Sequence, residues 1–219
     1  MKQHSFKKYL VIFILFALPI TAYMFFASGV NNFAKLPTLT KSVRNLNEFK
    51  LKDGTPVHLE NNITVLGFFG KDPMAAKVGA YNLAHKIYKK NHEFKDFQII
   101  FIVPEEAKQQ SQELEAKLAE IVDTDQWKFA YGSPQAIEAV FTSLQSNFNL
   151  NSSLATPYVF IIDKEQNLRG RNEDEDVGKL YGYDSREIAE INNKMSDDIK
   201  IVLAEYRLAL KKNNAKREI

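Results

Sequence analysis

The chain has 219 residues, of which 45% are hydrophobic and none is cysteine, and its formal net charge at pH 7 is +2. This length suits one domain of ordinary size, and the missing thiols exclude disulfides, thiolate metal sites and thiol nucleophiles. Three lysines, Lys2, Lys7 and Lys8, precede the first apolar segment with no acid to offset them, so the remainder has a net charge of −1. We expect no nucleic-acid partner, because a near-neutral domain has no bulk electrostatic attraction to one.

Residues 9–30 form an uncharged segment of 22 residues, long enough as a helix to cross the hydrocarbon core of a bilayer. Membrane helices tolerate an internal proline such as Pro19. The preceding lysines predict a cytoplasmic N-terminus by the positive-inside rule. We therefore predict a cytoplasmic stub and single-pass anchor over residues 1–30 in the inner (cytoplasmic) membrane, with the domain in the periplasm. The alternative is a cleaved signal peptide with a weak cleavage site at residues 27–29, which would release a secreted protein.

After the anchor, residues 31–45 are predicted to be a polar spacer and residues 46–210 the folded domain. A two-residue turn signal at Asp53 and Gly54 predicts a hairpin between residues 47–51 and 56–59.

Beyond this hairpin, buried strands alternate with amphipathic helices. Continuous apolar runs predict strands, over residues 63–69, 97–103, 127–131 and 157–163, with an edge strand at 168–171. Apolar residues at three- and four-residue spacing predict helices, over residues 74–90, 105–122 and 135–148 and from a cap at Asp184 or Ser185 onward, with 211–219 left as a basic tail. Ser133 is the predicted N-cap of the third helix, with Pro134 at its first position. This alternation predicts an α/β three-layer sandwich, a central mixed sheet with helices on both faces.

Several stretches resemble the thioredoxin superfamily. Residues 49–59 and 64–70 resemble the opening of its redoxin branch, and residues 156–163 resemble its Thr-Pro strand, whose proline is characteristically cis and faces the active-site loop. Residues 163–170 resemble the hairpin that follows and ends in an Arg-Gly pair. With the anchor and spacer, the chain is most similar to the Sco/SenC family, the membrane-tethered copper chaperones of cytochrome c oxidase assembly. The resemblance implies a thioredoxin-like fold with a cis bond before Pro157.

The resemblance also implies that the family's chemistry is missing. That family binds copper with two cysteines spaced C-P-x-x-C after a Phe-Phe strand, and with a histidine before the later strand. Here the cysteine positions hold Asp72 and Ala76, Pro73 keeps the proline position, and the histidine position falls within residues 153–155. Aspartate and alanine do not replace the soft ligands of Cu(I). We therefore expect a degenerate loop, including Lys71, with no catalytic residue, metal or cofactor, and with Asp72 acting as an N-cap.

The remaining candidates form a predicted partner surface, in which the loop at residues 70–74 adjoins the segment at residues 172–183. Its members are Met74, Glu173, Asp174, Glu175, Asp176, Tyr181 and Tyr183. The acidic run is predicted to be a solvated loop, with a surface for a basic partner or a weak cation site as alternatives. Aromatic residues with a polar rim are typical of recognition surfaces.

These observations predict a redox-inactive domain that is not an enzyme. It would act as a binding or assembly factor for envelope or respiratory (cytochrome oxidase) complexes, with membrane or periplasmic proteins as partners. The alternatives are a metal carrier or enzyme that uses non-thiol ligands around Lys71, Asp72 and the acidic run, and a cleaved, secreted thioredoxin-like protein.

Overall fold

A computed structural model describes residues 3–27 and 35–215, with side chains over 7–25 and 35–209. The chain divides into two units, Met1–Ala34 and Lys35–Ile219. Several sequence-based predictions fall outside the described residues: most of the cleavage site at 27–29, the first part of the spacer, Lys2, and residues 216–219 of the tail.

The first unit contains helix α1, Gln3–Ala27, with Pro19 inside it. Its segment Lys7–Phe25 has a mean hydropathy of 1.9 and, by length and composition, is able to cross a membrane. A signal sequence near an N-terminus has the same properties.

The second unit is built on a mixed sheet with strand order β1-β6-β5-β2-β3-β4, in which β9 also pairs with β5. The strands of this sheet are β1 (Thr38–Thr40), β2 (Ile63–Phe69), β3 (Phe97–Pro104), β4 (Trp127–Gly132), β5 (Ala155–Ile162), β6 (Leu168–Arg169) and β9 (Tyr183–Asp184). Strands β2, β3 and β4 are parallel, and β5 runs antiparallel to β2. A separate hairpin consists of β7 (Arg171–Asp174) and β8 (Gly178–Leu180). Every residue of β2 and β3 is buried, as their continuous apolar runs predict.

The helices of this unit are α2 (Lys77–Leu83), α3 (Lys89–Asn91), α4 (Lys108–Ala119), α5 (Pro134–Ser143), α6 (Ile188–Glu190) and α7 (Ser196–Ala215). Single π-helical turns, Ala84–Tyr88 and Ile191–Met195, join α2 to α3 and α6 to α7. Short 3₁₀ turns, Pro73–Ala76 and Glu105–Ala107, lead into α2 and α4.

Helix α5 begins as predicted, because the Ser133 hydroxyl accepts a hydrogen bond from the Ala136 N–H at 3.2 Å and Pro134 is its first residue. It ends before the predicted residue 148, since Gln145 adopts a left-handed φ of 52°.

Two hydrophobic clusters lie on the two faces of the sheet. One contains residues of α2, α4 and α7, among them Leu83, Leu114 and Val202. The other combines α5 with the segment that precedes β2, including Ile137 and Phe49. The predicted α/β three-layer sandwich is confirmed.

The domain begins earlier than predicted. Leu36 is buried, its N–H donates to Glu205 Oε1 at 2.8 Å, and its carbonyl accepts from Arg169 Nε at 2.9 Å. Strand β1 then pairs with β6. The spacer prediction is therefore wrong from Lys35 onward, and the strand predicted over 168–171 is not an edge strand, because β1 covers it.

Two other local predictions are also wrong in part. The predicted hairpin around Gly54 is reduced to a tight turn with one bridge, between Lys50 and Pro56. The last helix starts at Ile188 rather than after a cap at Asp184. The Asp184 carboxylate instead accepts hydrogen bonds from the Arg186 backbone and guanidinium at 2.9 and 2.6 Å. At its far end α7 extends to Ala215, so the start of the predicted tail is helical.

Candidate functional site

The loop after β2 is held against the segment that leads into β5. Gly70 has a φ of +63°, and a Cβ there would lie 2.1 Å from the Ser153 carbonyl oxygen. The Lys71 N–H donates to that same oxygen at 2.8 Å. Only glycine allows this approach, because any side chain would collide with the backbone in a conformation already unfavourable for L-residues.

Asp72 caps the turn that follows. Its Oδ1 accepts a hydrogen bond from the Ala75 N–H at 3.3 Å, and buried Pro73 opens the turn. The predicted capping role is confirmed. The Lys71 ammonium lies 3.1 Å from Glu106 in a pair whose side chains are about half exposed, so solvent screens it and it contributes little stability.

An open groove of about 160 Å³ lies beside this loop. It is lined by Phe68, Phe69, Asp72, Ala75, Ala76, Asn151, Ala155, Thr156, Pro157, Ser185 and Arg186. We call it the loop groove. This one groove holds all three ligand positions of the Sco/SenC pattern. Asp72 and Ala76 stand at the two cysteine positions, and Ala155 lies within the histidine position. Their side chains do not fit Cu(I), since none offers sulfur or imidazole.

The expectation of a cis bond before Pro157 is wrong, because none of the peptide bonds over the described residues is cis. Pro157 lies within β5, where Ala155 and Thr156 stay paired with Phe69 and Phe68 of β2. The Pro157 carbonyl also accepts from the Ser185 N–H at 2.9 Å and from the Ser185 hydroxyl at 2.8 Å. The extended trans backbone satisfies both sets of contacts.

Tyr183 is not a surface residue as predicted. Its side chain is completely buried, and its hydroxyl donates to Asp198 Oδ2 at 2.6 Å. Burial and then the neighbouring Asp198 charge raise the pKa of the Tyr183 phenol well above its ordinary value. Sequence reasoning mistook it for a loop residue because a two-residue strand such as β9 gives no periodic signal.

The acidic run is only partly solvated. Asp174 is buried and pairs with Lys194 at 2.7 Å, and Lys194 also contacts Asp176 at 2.6 Å. Glu173 and Glu175 are exposed, as predicted for a solvated loop. Asp174 and Asp176 therefore stabilise the hairpin β7–β8 against the Ile191–Met195 turn.

The two half-buried members of the predicted surface pack inward. Met74 contacts the cluster beneath α2, and Tyr181 contacts the cluster beneath α5. Ser185 and Arg186 line the loop groove, whereas no residue of 172–183 does. The predicted surface is therefore wrong as a unit, and the loop groove takes its place as the candidate site.

Four residues of this groove were missed from the sequence: Asn151, Thr156, Ser185 and Arg186. Asn151 had a usable sequence signal, because an asparagine followed by two serines is typical of a turn. In the structure its side chain accepts hydrogen bonds from the Ser153 and Ala155 N–H groups at 2.9 and 3.0 Å. Arg186 gave none, since its position depends on the pairing of β9 with β5.

The loop groove carries one exposed guanidinium, that of Arg186, and one exposed carboxylate, that of Asp72. The Arg186 side chain is 62% exposed and pairs with Asp184 at 2.6 Å. This hydrogen bond raises the pKa of Arg186 further above its ordinary value. Over the described residues, no group of three or more His, Cys, Asp or Glu side chains is placed to hold a metal ion. The lining therefore combines buried apolar residues with exposed polar ones.

No protein-family model matches this chain. No curated protein matches it either.

Several solved structures share its fold. BsSco, described as a member of the Sco family of cytochrome c oxidase assembly proteins, matches with a TM-score of 0.55 and 16% identity over 77% of this chain and 98% of that one. A SCO1/SenC family lipoprotein from Bacillus anthracis str. Ames matches with a TM-score of 0.55 and 15% identity over 78% and 99%. A putative electron transfer protein from Aquifex aeolicus VF5 matches with a TM-score of 0.54 and 13% identity over 75% and 98%. The chain has the thioredoxin-like fold of the Sco/SenC proteins, and at these identities the likeness concerns the fold alone.

Proposed function

We propose that this protein is a membrane-anchored, redox-inactive domain of thioredoxin-like fold that faces the periplasm. It acts by binding, as an assembly factor for an envelope or respiratory complex such as cytochrome oxidase. One observation carries the proposal: Asp72, Ala76 and Ala155 converge on one groove, although the 219-residue sequence contains no cysteine. The frame around the groove is present without the ligands for thiol or Cu(I) chemistry, which favours recognition over catalysis or metal transfer.

The loop groove has the composition of a small protein-recognition site. It is lined by two buried aromatic residues, Phe68 and Phe69, and by exposed Asp72, Asn151 and Arg186. An apolar centre surrounded by polar groups is typical of protein interfaces, and arginine is enriched in them. Ala75 and Arg186 are exposed, so a partner's side chain has access.

The groove is also held in shape before any partner arrives. Its two walls are fixed by backbone contacts, from Lys71 N–H to Ser153 and from Ser185 N–H to Pro157, at 2.8 and 2.9 Å. A preorganised surface loses less conformational entropy on binding than a flexible one.

Membrane anchoring is supported by the first unit. The segment Lys7–Phe25 is 19 residues long with a mean hydropathy of 1.9, and lysines precede the uncharged stretch, which by the positive-inside rule favours an exported domain. One similar structure is itself described as a lipoprotein. Cell fractionation tests anchoring separately, since a cleaved signal peptide would leave the domain soluble.

Co-purification from solubilised membranes of the native host tests the binding role. The full chain is tagged and compared with Ala75→Arg, which fills the groove, and with Ala119→Arg, which adds the same side chain at an exposed position on α4. We expect the unchanged chain and the Ala119→Arg variant to retain a subunit of a membrane or periplasmic complex, and Ala75→Arg to lose it. A chain that retains no partner, or an Ala75→Arg variant that retains the same partner, would overturn the proposal. Stoichiometric copper in the purified chain would favour a metal carrier instead.

A further inference from the structure

A second concave surface lies at the opposite end of the sheet from the loop groove. Two adjoining grooves of about 280 and 200 Å³ share Phe94, Leu203 and Arg207. We call this surface the basal groove. Ile63, the first residue of β2, lines it, whereas the loop groove follows the last residue of β2. A seven-residue strand separates them by about 20 Å, so the two surfaces are distinct.

The basal groove combines an exposed aromatic ring with uncompensated positive charge. Phe94 is 40% exposed at its centre. Around it, Lys90, Lys95 and Arg207 are exposed and form no ion pair with any side chain in the described part of the chain. Two further lysines at the rim, Lys164 and Lys200, are neutralised by neighbouring aspartates at 2.5 and 2.8 Å. Exposed Glu93, next to Phe94, offsets one of these three cations, and the remaining surplus favours an anionic partner.

The chain enters the domain against α7, the helix that also contributes Leu203 and Arg207 to this groove. The Leu36 N–H donates to Glu205 Oε1 of that helix at 2.8 Å. Between the apolar segment, which ends at Phe25, and Lys35 lie only residues 26–34. A chain of that length spans at most about 35 Å even when fully extended. Residues 26–34 are therefore a short tether.

We propose that the basal groove docks on the anionic phospholipid headgroups of the membrane in which the domain is anchored. The inference rests on the anchoring in the proposed function. Lipid phosphates fit the free lysines and Arg207, because basic side chains close to an anionic bilayer are attracted to its surface potential and arginine binds phosphate bidentately. Phe94 fits the same surface, since aromatic rings partition into the headgroup region. Lipid is favoured over an acidic protein because the short tether keeps the whole domain at a high effective concentration of headgroups.

The absence of native cysteine allows a clean test on the full chain. Glu93→Cys places one fluorescent label next to Phe94, and the labelled chain is reconstituted into vesicles of phosphatidylcholine alone or of an equal mixture with phosphatidylglycerol. Each vesicle type carries a trace of headgroup-quencher lipid. We expect strong quenching only in the mixture, and no quenching of a label at exposed Val78 in either vesicle.

Charge reversal identifies the surface. We expect Lys90→Glu with Arg207→Glu to weaken docking by about fivefold or more per charge. Reversal of Lys50 and Lys179, two exposed lysines that line neither groove, should leave docking unchanged.

Three results would overturn the inference. The first is equal quenching of the label in both vesicle types, and the second is unchanged quenching in the Lys90→Glu/Arg207→Glu variant. The third is complete loss of quenching when inorganic phosphate or polyglutamate is added, which would indicate that the groove binds a free anion or an acidic protein. The test of the proposed function can fail separately from this one. Its variant, Ala75→Arg, lies in the loop groove, about 20 Å from the basal groove.

Discussion

The Tyr183 hydroxyl and the Asp198 carboxylate form a hydrogen bond of 2.6 Å between two buried residues. Arg171 completes the contact, since its Nε and Nη2 donate to the same carboxylate at 2.8 and 3.0 Å. This network holds β7 and β9 against α7. It thereby fixes the start of residues 183–186, the segment whose last residue, Arg186, lines the loop groove. An aromatic residue that the sequence suggests as a recognition element is thus part of the core that supports the site.

Replacing Tyr183 by phenylalanine removes the donor and leaves a buried carboxylate with one partner fewer. We expect the free energy of unfolding to fall by about 1.5–3 kcal/mol, the usual contribution of a hydrogen bond to a charged group. Urea denaturation followed by circular dichroism measures it. Tyr181→Phe is the matched control, because the Tyr181 side chain is half-buried and its hydroxyl makes no hydrogen bond with the described residues; its effect should stay within about 0.5 kcal/mol. Equal losses in the two variants would contradict the assignment.

Gly70→Ala should destabilise the domain far more than Gly178→Ala. Both glycines have left-handed φ angles, +63° and +72°, but a Cβ meets the Ser153 carbonyl oxygen at 2.1 Å only at Gly70 and finds no atom within 4 Å at Gly178. The conformational penalty, about 1–2 kcal/mol, is common to both. The collision should add about 1–3 kcal/mol at Gly70, as for other overpacked sites. Thermal denaturation of both variants checks the difference, and similar midpoints would show that the loop does not require this close approach.

Asp174 should make stability depend on pH in the acid range. Burial acts to raise the pKa of its carboxyl, but hydrogen bonds from Lys194 and from the Asp176 N–H outweigh it, and the pKa lies below its ordinary value of 3.8. Because the folded-state pKa is depressed, the stabilisation is present above pH 3.8 and is lost as the pH falls through the lower folded value.

Asp174→Asn should therefore be less stable than the unchanged chain at neutral pH, and the difference should shrink on acidification below pH 3.8. Urea denaturation over a pH series measures it. Glu175→Gln, at an exposed position next door, should follow the unchanged chain at every pH. A stability difference between Asp174→Asn and the unchanged chain that grows as the pH falls would contradict this assignment.

The loop groove should gain Cu(I) binding when the family's ligand types are introduced. Asp72→Cys, Ala76→Cys and Ala155→His place two thiols and an imidazole around one groove, a donor set suited to Cu(I). A competitive titration with a chromophoric chelator should detect one Cu(I) in the triple variant and none in the unchanged chain. A variant with thiols at Ala119 and Glu138, which lie on different helices, controls for adventitious binding. Cu(I) bound by the unchanged chain would contradict the absence of metal chemistry.

The sequence predicts the elements whose signals are local. Continuous apolar runs identify β2 and β3, and Ser133 with Pro134 identifies the start of α5. The loop position of Asp72 also follows from local signals, since a proline directly after a capping residue is typical of a helix start.

What the sequence misses depends on distant contacts. Leu36 is fixed by Glu205, 169 positions away, so β1 reads as part of a spacer. Tyr183 reads as an exposed loop residue because Asp198 and β5, which bury it, cannot be inferred from its neighbours. Arg186 enters the loop groove only as a consequence of that pairing.

Site-specific photocrosslinking in the native host tests the central claim, that the loop groove binds a protein partner. A benzoylphenylalanine at exposed Ala75 lies in the groove, and one at exposed Ala119 on α4 lies outside it. We predict one dominant adduct from Ala75, identified by mass spectrometry as a subunit of a membrane or periplasmic complex, and no corresponding adduct from Ala119. The same adduct from both positions, or none from Ala75 in membranes where the chain is correctly anchored, would contradict the account.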